Sequence, residues 1–481
     1  MSVRSTRMSV FVSLFIVLAA FIVQAQDSGS DANLDELFGG DMVENPENVP
    51  APTQNPVTAA LATEKVRIGG SFYGSLEAAA TWQDLWGGGS DLFSADTTSL
   101  DTVLKSTVFF DARPSEDFRV YGSTKVAWPF STTKTFLTSA TDTGGTLITK
   151  SDSIAVPNIK VFELFSDFSL NDQVFFRFGK STVKWGVGYF WSPADVINLE
   201  PINVLDATAQ REGPINFRVH IPVLGTQNNF YLYAILDEDN VDFSTTALAA
   251  KAEFLLGNYE LGTGIYYRDD TAERAMLTLT GPVGNFDVFG EAMLSRGSAK
   301  SFVTDIATTT PYTITTSTKA DHRSSLYFSA STGFMYSSPK DNFTAIGQYY
   351  YNGEGYSDAD RKGLIADANT VIAALGATPT AAQYQQALAG LIYGSGRHYA
   401  ALSVTQDEFL TKDTSISLLV LANLSDGSGF VRPSIAWQVV DNFKFSLSPT
   451  FIFGGADTEY SILAGGDTVS VSLGAIVSGS F

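Results

Sequence analysis

Three histidines, His220, His322 and His398, are the only imidazoles in this chain of 481 residues, and it contains no cysteine. A serine hydrolase needs a general base hydrogen-bonded to its nucleophile, so any such centre here must use one of the three. His220 lies in a strand-like run before Pro222, His322 follows Asp321 in a polar stretch, and His398 opens another strand-like run. None stands in a catalytic motif. The lack of cysteine removes thiolate catalysis, disulfides and zinc–cysteine centres, and suits an oxidising compartment. Gly179-Lys180-Ser181 resembles the end of a phosphate loop, but the earlier glycine position holds Val174 and no strand-to-helix passage surrounds it. Asp237, Asp239 and Asp242 could face calcium from a surface loop, yet they lack the glycine turn and closing glutamate of an EF-hand. No catalytic residue, cofactor or metal is expected, and the chain does not read as an enzyme.

What remains is charge and aromatic character, gathered in one segment. Asp195, Asp206, Arg211 and Glu212 put both signs in a short stretch, and Arg177, Lys180 and Lys184 precede it. Arg119 and Lys125 are similar basic residues on an earlier strand-like run. Opposed charges across a narrow aqueous passage order water and select by charge and size. Ion pairs that merely stabilise a loop would use the same residues, and both readings stand. Trp185, Tyr189, Phe190 and Trp191 cluster just after a strand, a composition expected for an aromatic girdle at a membrane interface.

The elements that must hold these residues are strands. Val66, Ile68, Gly70, Phe72, Gly74, Leu76, Ala78, Ala80 and Trp82 share one parity, and Lys65, Arg67, Ser71, Tyr73, Ser75, Glu77 and Thr81 share the other. Side chains alternate faces along a strand, so the segment has one apolar and one polar face. The same pattern recurs at 118–128, 443–453 and 469–481. Many such runs look about 10–14 residues long, where a membrane-crossing strand needs about 9–11 and a globular one averages about five or six. Tight turns at Asn171-Asp172, Gly257-Asn258, Asp341-Asn342 and Asp441-Asn442 alternate with long polar loops near 84–98, 131–155, 297–323 and 354–396. In the last, 358–375 and 380–393 carry helical spacing, broken at Gly376 and Pro379. These short helices either cap the outer mouth or fold inward. Hydrocarbon leaves no partner for an unpaired strand edge, so the sheet must close. The fold expected is all-β: a transmembrane antiparallel β-barrel of about 16–18 strands, wide enough to leave an aqueous channel.

Composition agrees. Net charge is −21 with an isoelectric point near 4.5, which argues against a nucleic-acid partner. Gly 41, Phe 35 and Tyr 19 suit strands with aromatic contacts. After the first 25 residues, no apolar run nears the roughly 18 residues of a spanning helix. Arg4 and Arg7, the apolar stretch Met8 to Val23 and the small residues of Val23-Gln24-Ala25 read as a signal peptide over 1–25, cleaved before Gln26. Residues 26–63 hold no Lys or Arg and are Pro-rich at their end, which predicts an acidic periplasmic tail, or alternatively a plug or docking peptide. The barrel is expected over 64–481.

The chain ends on Phe481 after regular alternation. This resembles the closing-strand signal that the assembly machinery of bacterial outer-membrane barrels reads, and implies that machinery and outer-membrane lipid of a diderm bacterium as partners. A second resemblance lies at 176–222. Arg177-x-Gly179-Lys180, then Trp185-Gly186, then Ser192-Pro193-Ala194-Asp195-Val196-Ile197-Asn198, then Arg211-Glu212-Gly213 is similar to uncharacterised outer-membrane barrels related to alginate-export porins. Those channels carry a dense arginine lining; here basic residues are sparse, which argues against a polyuronate cargo. The function expected is a porin-like channel for passive diffusion of small hydrophilic solutes. The alternative is a hydrophobic-compound transporter, or a surface adhesion protein that its barrel merely anchors.

Overall fold

The two-faced writing of Val66–Gln83 is realised as the first of eighteen antiparallel strands in a computed structural model of the chain. The structure describes residues 66–83, 94–141, 147–199, 202–203, 211–238, 242–269, 271–309, 313–374, 394–455, 457–464 and 468–481. The leader and tail assigned to 1–25 and 26–63 lie outside these residues. The strands are β1 (Val66–Gln83), β2 (Thr97–Ser115), β3 (Phe118–Thr141), β4 (Leu147–Leu170), β5 (Val174–Lys180), β6 (Ile215–Pro222), β7 (Asn229–Ile235), β8 (Ala247–Leu256) and β9 (Tyr259–Tyr267). They continue as β10 (Glu273–Val283), β11 (Phe286–Thr309), β12 (Thr313–Ser338), β13 (Phe343–Tyr351), β14 (His398–Gln406), β15 (Thr414–Asn423), β16 (Ser428–Val440), β17 (Phe443–Phe453) and β18 (Thr468–Ser480).

Each strand pairs with its neighbours in sequence, and β1 also pairs with β18, from Ser71↔Ser480 to Gln83↔Thr468. The seam is finished by two backbone bonds of 2.9 Å, in which Gly70 and Phe481 each donate to the other's carbonyl. A Cβ on Gly70 would stand 2.5 Å from the Thr107 carbonyl and 2.6 Å from the Phe481 ring, so glycine leaves room there for the last aromatic ring. The sheet has no free edge, which is the condition for strands in hydrocarbon.

Outward parity is apolar: Ile68, Phe72 and Leu76 on β1, Phe176 and Phe178 on β5 beside Phe217 on β6, and Leu277 and Leu279 on β10. Inward parity carries Tyr73, Ser75 and Glu77 on β1 and Ser446 and Ser448 on β17. Left-handed φ values at Asn171 and Asp172 (both 52°), Asn342 (49°) and Gly257 (67°) mark tight turns, the geometry that matches strand twist in hairpins. The eight connections on the rim where β1 starts and β18 ends hold two to seven residues each.

The opposite rim differs in part from expectation. The polar stretches 131–155 and 297–323 are not loops. They are continuations of the β3–β4 and β11–β12 hairpins past the wall, with register shifts between Val126 and Ser131 and between Arg296 and Asp305. Thr, Ser and Ile favour strands, and a ribbon clear of lipid needs no apolar face, so polarity alone misleads there. Strand length also varies more widely than expected, from 7 residues in β5 and β7 to 26 in β12.

In the connection between β13 and β14, α1 (Asp358–Ala374) forms as the spacing predicts; the second helical stretch lies outside the described residues. Ser357 caps it: its hydroxyl accepts the Asp360 N–H at 3.1 Å and donates to the Asp360 carboxylate. Leu364, Ile365, Ala368 and Val371 pack on Val303 and Ile306 of the β11 ribbon and on Ile462 of α2 (Glu459–Ala464), so α1 stands over the outer rim. Neither is an apolar spanning helix.

The two faces give a paired test. L76R places a guanidinium on the lipid side and costs about 2–4 kcal/mol near the bilayer midplane, whereas S75R, one residue away, faces the lumen and costs far less. Urea titration of the barrel in lipid vesicles reads the difference; equal losses would contradict the assigned faces.

A candidate constriction inside the barrel

The connection between β5 and β6 runs from Ser181 to Pro214, with no helix or strand among its described residues. Its two legs are tied at the root. Thr182 donates its hydroxyl to the Arg211 carbonyl at 2.7 Å, and the buried Asn216 side chain donates to the carbonyls of Ser181 and Pro214. From Lys180 the chain has eleven residues to Trp191, at most about 3.3–3.6 Å each when extended, enough to reach across the barrel. It turns inward. Val183, Trp185, Ala194 and Ile197 pack on Tyr233, Ile235, Ala247, Ala249 and Met276 of β7, β8 and β10. Phe190 reaches Ile346, Ala401, Leu421 and Phe430 on β13 to β16.

The tip is hung on two wall side chains. Glu291 on β11 accepts from the N–H groups of Val187 and Gly188 (both 2.5 Å) and Ala194 (2.9 Å), and from the Ser192 hydroxyl (3.0 Å). Gln348 on β13 accepts at Oε1 from Tyr189 and Phe190 (3.1 and 2.8 Å) and donates from Nε2 to the Trp191 carbonyl (2.6 Å). Both are buried.

The aromatic cluster is thereby corrected. Trp185 is 1 % exposed and meets Tyr233 edge-on; Tyr189 meets Phe289; Trp191 stacks on Tyr350 and leans on Tyr399; Phe190 is buried. These rings join no lipid-facing girdle. They dock the loop onto the inner wall, because each finds an aromatic or aliphatic partner there and loses more water than an interface position would remove.

The loop's charges are paired. Arg211 binds Asp195, whose carboxylate also accepts from Asn198 at 2.9 and 3.0 Å. Burial pushes the Asp195 carboxyl up, against the pull of Arg211 and Asn198. Glu212 sits between Lys160 and Lys180 (2.7 Å), and Lys180 also meets Glu238 at 2.8 Å. Burial opposes ionisation of Glu212, but the bonds and charges of the two lysines outweigh it and hold its carboxyl below the ordinary range. Lys184 is exposed, and Asp206 lies outside the described residues. Lys125 stands 3.3 Å above the Phe162 ring.

On the short-turn side of the loop, inward parity brings charges into a row. Asp111 on β2 takes two bonds from Arg119 on β3 (2.8 and 3.1 Å) and two from Arg113 (3.1 and 3.5 Å). Arg119 faces Asp167 on β4 in register, Asp167 receives Arg177 on β5 (2.7 and 3.0 Å), and Arg177 lies beside Arg218 on β6. Arg218 makes no ion pair among the described residues, and its Nε has no partner. Sequence reasoning picked Arg119 and Arg177 and missed Asp111, Asp167 and Arg218. Each has the inward parity of its strand, and that parity was the available signal. Glu291 and Gln348 gave no comparable signal.

No family model matches the chain, and no curated relative matches it. Among solved structures it is similar to OccAB1 of Acinetobacter baumannii (9 % identity, TM-score 0.45, covering 86 % of this chain and 97 % of that one). It is also similar to OccK11 (OpdR) of Pseudomonas aeruginosa (8 %, 0.44, 86 % and 96 %) and to Salmonella typhi OmpF in complex with daunomycin (8 %, 0.38, 85 % and 97 %).

The Glu212 clamp makes the loop root acid-sensitive. A carboxyl held low stabilises the fold above its ordinary value of 4.5 and loses that contribution as pH falls through the depressed one. In thermal unfolding of the detergent-solubilised barrel, E212Q is expected to cost about 1–2 kcal/mol at pH 7, since Lys160 is half exposed, and to flatten the loss below pH about 4.5. An unchanged acid limb would dissociate Glu212 from it.

Proposed function

We propose that the protein is a passive channel of the outer membrane, conducting small hydrophilic solutes through the space between the inward loop and the charged wall of β2 to β6. A closed sheet of eighteen strands leaves an aqueous lumen rather than a filled core. Its apolar outer face suits lipid, and its polar, hydroxyl-rich inner face suits water. The leader at 1–25 and the terminal Phe481 fit export and insertion by the barrel assembly machinery, and residues 26–63 fit a tail on the periplasmic side.

The single observation that carries the reading is the inward loop. A barrel that served only as an anchor has no need of a segment hung across its own lumen. Of the loop's described charges, Asp195, Arg211 and Glu212 are held in ion pairs, which leaves charge selection chiefly to the wall. There, four guanidiniums (Arg113, Arg119, Arg177, Arg218) face two carboxylates (Asp111, Asp167), a surplus of two positive charges. Counter-ions gather in a low-dielectric passage of one sign, so this stretch favours solutes with an anionic group despite the acidic chain as a whole.

Planar-bilayer recording tests both parts. A steady open conductance is expected, with an anion-leaning reversal potential in a salt gradient. R218E, which reverses the unpaired charge, should move the anion-to-cation permeability ratio toward cations by about two- to fivefold. A silent barrel overturns the channel, and a ratio indifferent to R218E overturns the role of the wall.

A further inference from the structure

The two wall residues that meet the loop differ in chemistry, and the difference matches what the loop presents to each. Toward Glu291 the loop offers donors alone: three backbone N–H groups and one hydroxyl. An ionised carboxylate is an acceptor at every lone pair, and such charge-assisted bonds are what permit its burial at 4 % exposure. Toward Gln348 the loop offers N–H groups and also the Trp191 carbonyl, which requires an acceptor and a donor on one side chain. Five successive backbone amides, from Val187 to Trp191, donate to these two residues.

The glycines of Trp185-Gly186-Val187-Gly188 belong to the same device. A Cβ on Gly186 would lie 1.6 Å from the Ser192 hydroxyl oxygen and 2.9 Å from a Glu291 carboxylate oxygen. On Gly188 it would lie 2.0 Å from the Trp191 carbonyl oxygen and 2.8 Å from Gln348 Nε2. A side chain at 188 would collide with the Trp191 backbone, and one at 186 would displace the Ser192 hydroxyl from Glu291.

We propose that Glu291 and Gln348 are the positioning residues of the constriction: by fixing where the loop hangs, they set the largest solute that passes. The inference rests on the channel reading above and adds to it a control of bore separate from the control of charge. Neither anchor belongs to the charged row of β2 to β6, so exchanging them should widen the passage with little change in ion preference.

The test uses isosteric swaps, E291Q and Q348E, in the full-length barrel. E291Q turns an amide NH2 toward N–H and hydroxyl donors; Q348E leaves the Trp191 carbonyl facing a carboxylate. Each is expected to raise single-channel conductance, and to let vesicles swell in sugars that wild type excludes. Heat-modifiable migration on gels would show that the barrel remains folded. Because the chain lacks cysteine, A194C reports docking directly: Ala194 is fully buried. Maleimide should label it at least about tenfold faster in the E291Q background, as expected from the loss of charge-assisted bonds worth about 1.5–3 kcal/mol. Should E291Q not fold, G186A strikes the same anchor from the loop side and carries the same expectation. Unchanged bore and labelling in a conducting barrel overturn the positioning role and leave the channel standing. A wild type that does not conduct overturns the channel itself, while labelling still reports whether the anchors hold the loop.

Discussion

Everything in this molecule depends on the pairing of β1 with β18. A strand edge in hydrocarbon exposes N–H and C=O groups that no solvent can satisfy, at several kcal/mol each. Closing the ring removes the last such row, and the reciprocal bonds between Gly70 and Phe481 complete it. Closure also divides the chain's surface into an outside and an inside. Once that division exists, the parity of a residue on its strand decides whether it meets lipid or water. The charged row of β2 to β6 is a consequence: register sets Arg119 beside Asp167, Asp167 beside Arg177 and Arg177 beside Arg218, and Asp111 is joined by its bonds to Arg119.

The lumen is organised by a second rule, that buried polar groups must find partners. The inward loop carries backbone amides into a space lined by side chains, and the wall answers with one carboxylate and one carboxamide. The apolar rings of the same loop then pack where those anchors place them. Asp195 is matched with Arg211 within the loop, and Glu212 with Lys160 and Lys180 on the strands beside its root. In the channel proposed above, the loop sets space and the wall of β2 to β6 sets charge.

Much of the barrel was legible beforehand because both its signals are local. Alternation along Val66–Gln83 needs only neighbouring residues, and the turn at Asn171-Asp172 needs only two. The inward loop was not legible, because its anchors lie far along the chain. Glu291 sits on an ordinary strand and reveals its role only when that strand stands across from Val187 and Gly188. The cluster Trp185, Tyr189, Phe190 and Trp191 was misplaced for the same reason. Rings after a strand suit an interface and an interior equally, until a partner such as Tyr350 or Tyr399 decides. In the ribbons of β3–β4 and β11–β12, polarity predicts loops but marks only distance from lipid.

The loop's hydrogen bonds also carry a time order. They join residues 97 to 159 positions apart, and contacts of such long range form only after the intervening chain has found its place. Strands up to β11 must stand before Glu291 faces the tip, and up to β13 before Gln348 does. The loop can therefore dock only on a wall that is already in place.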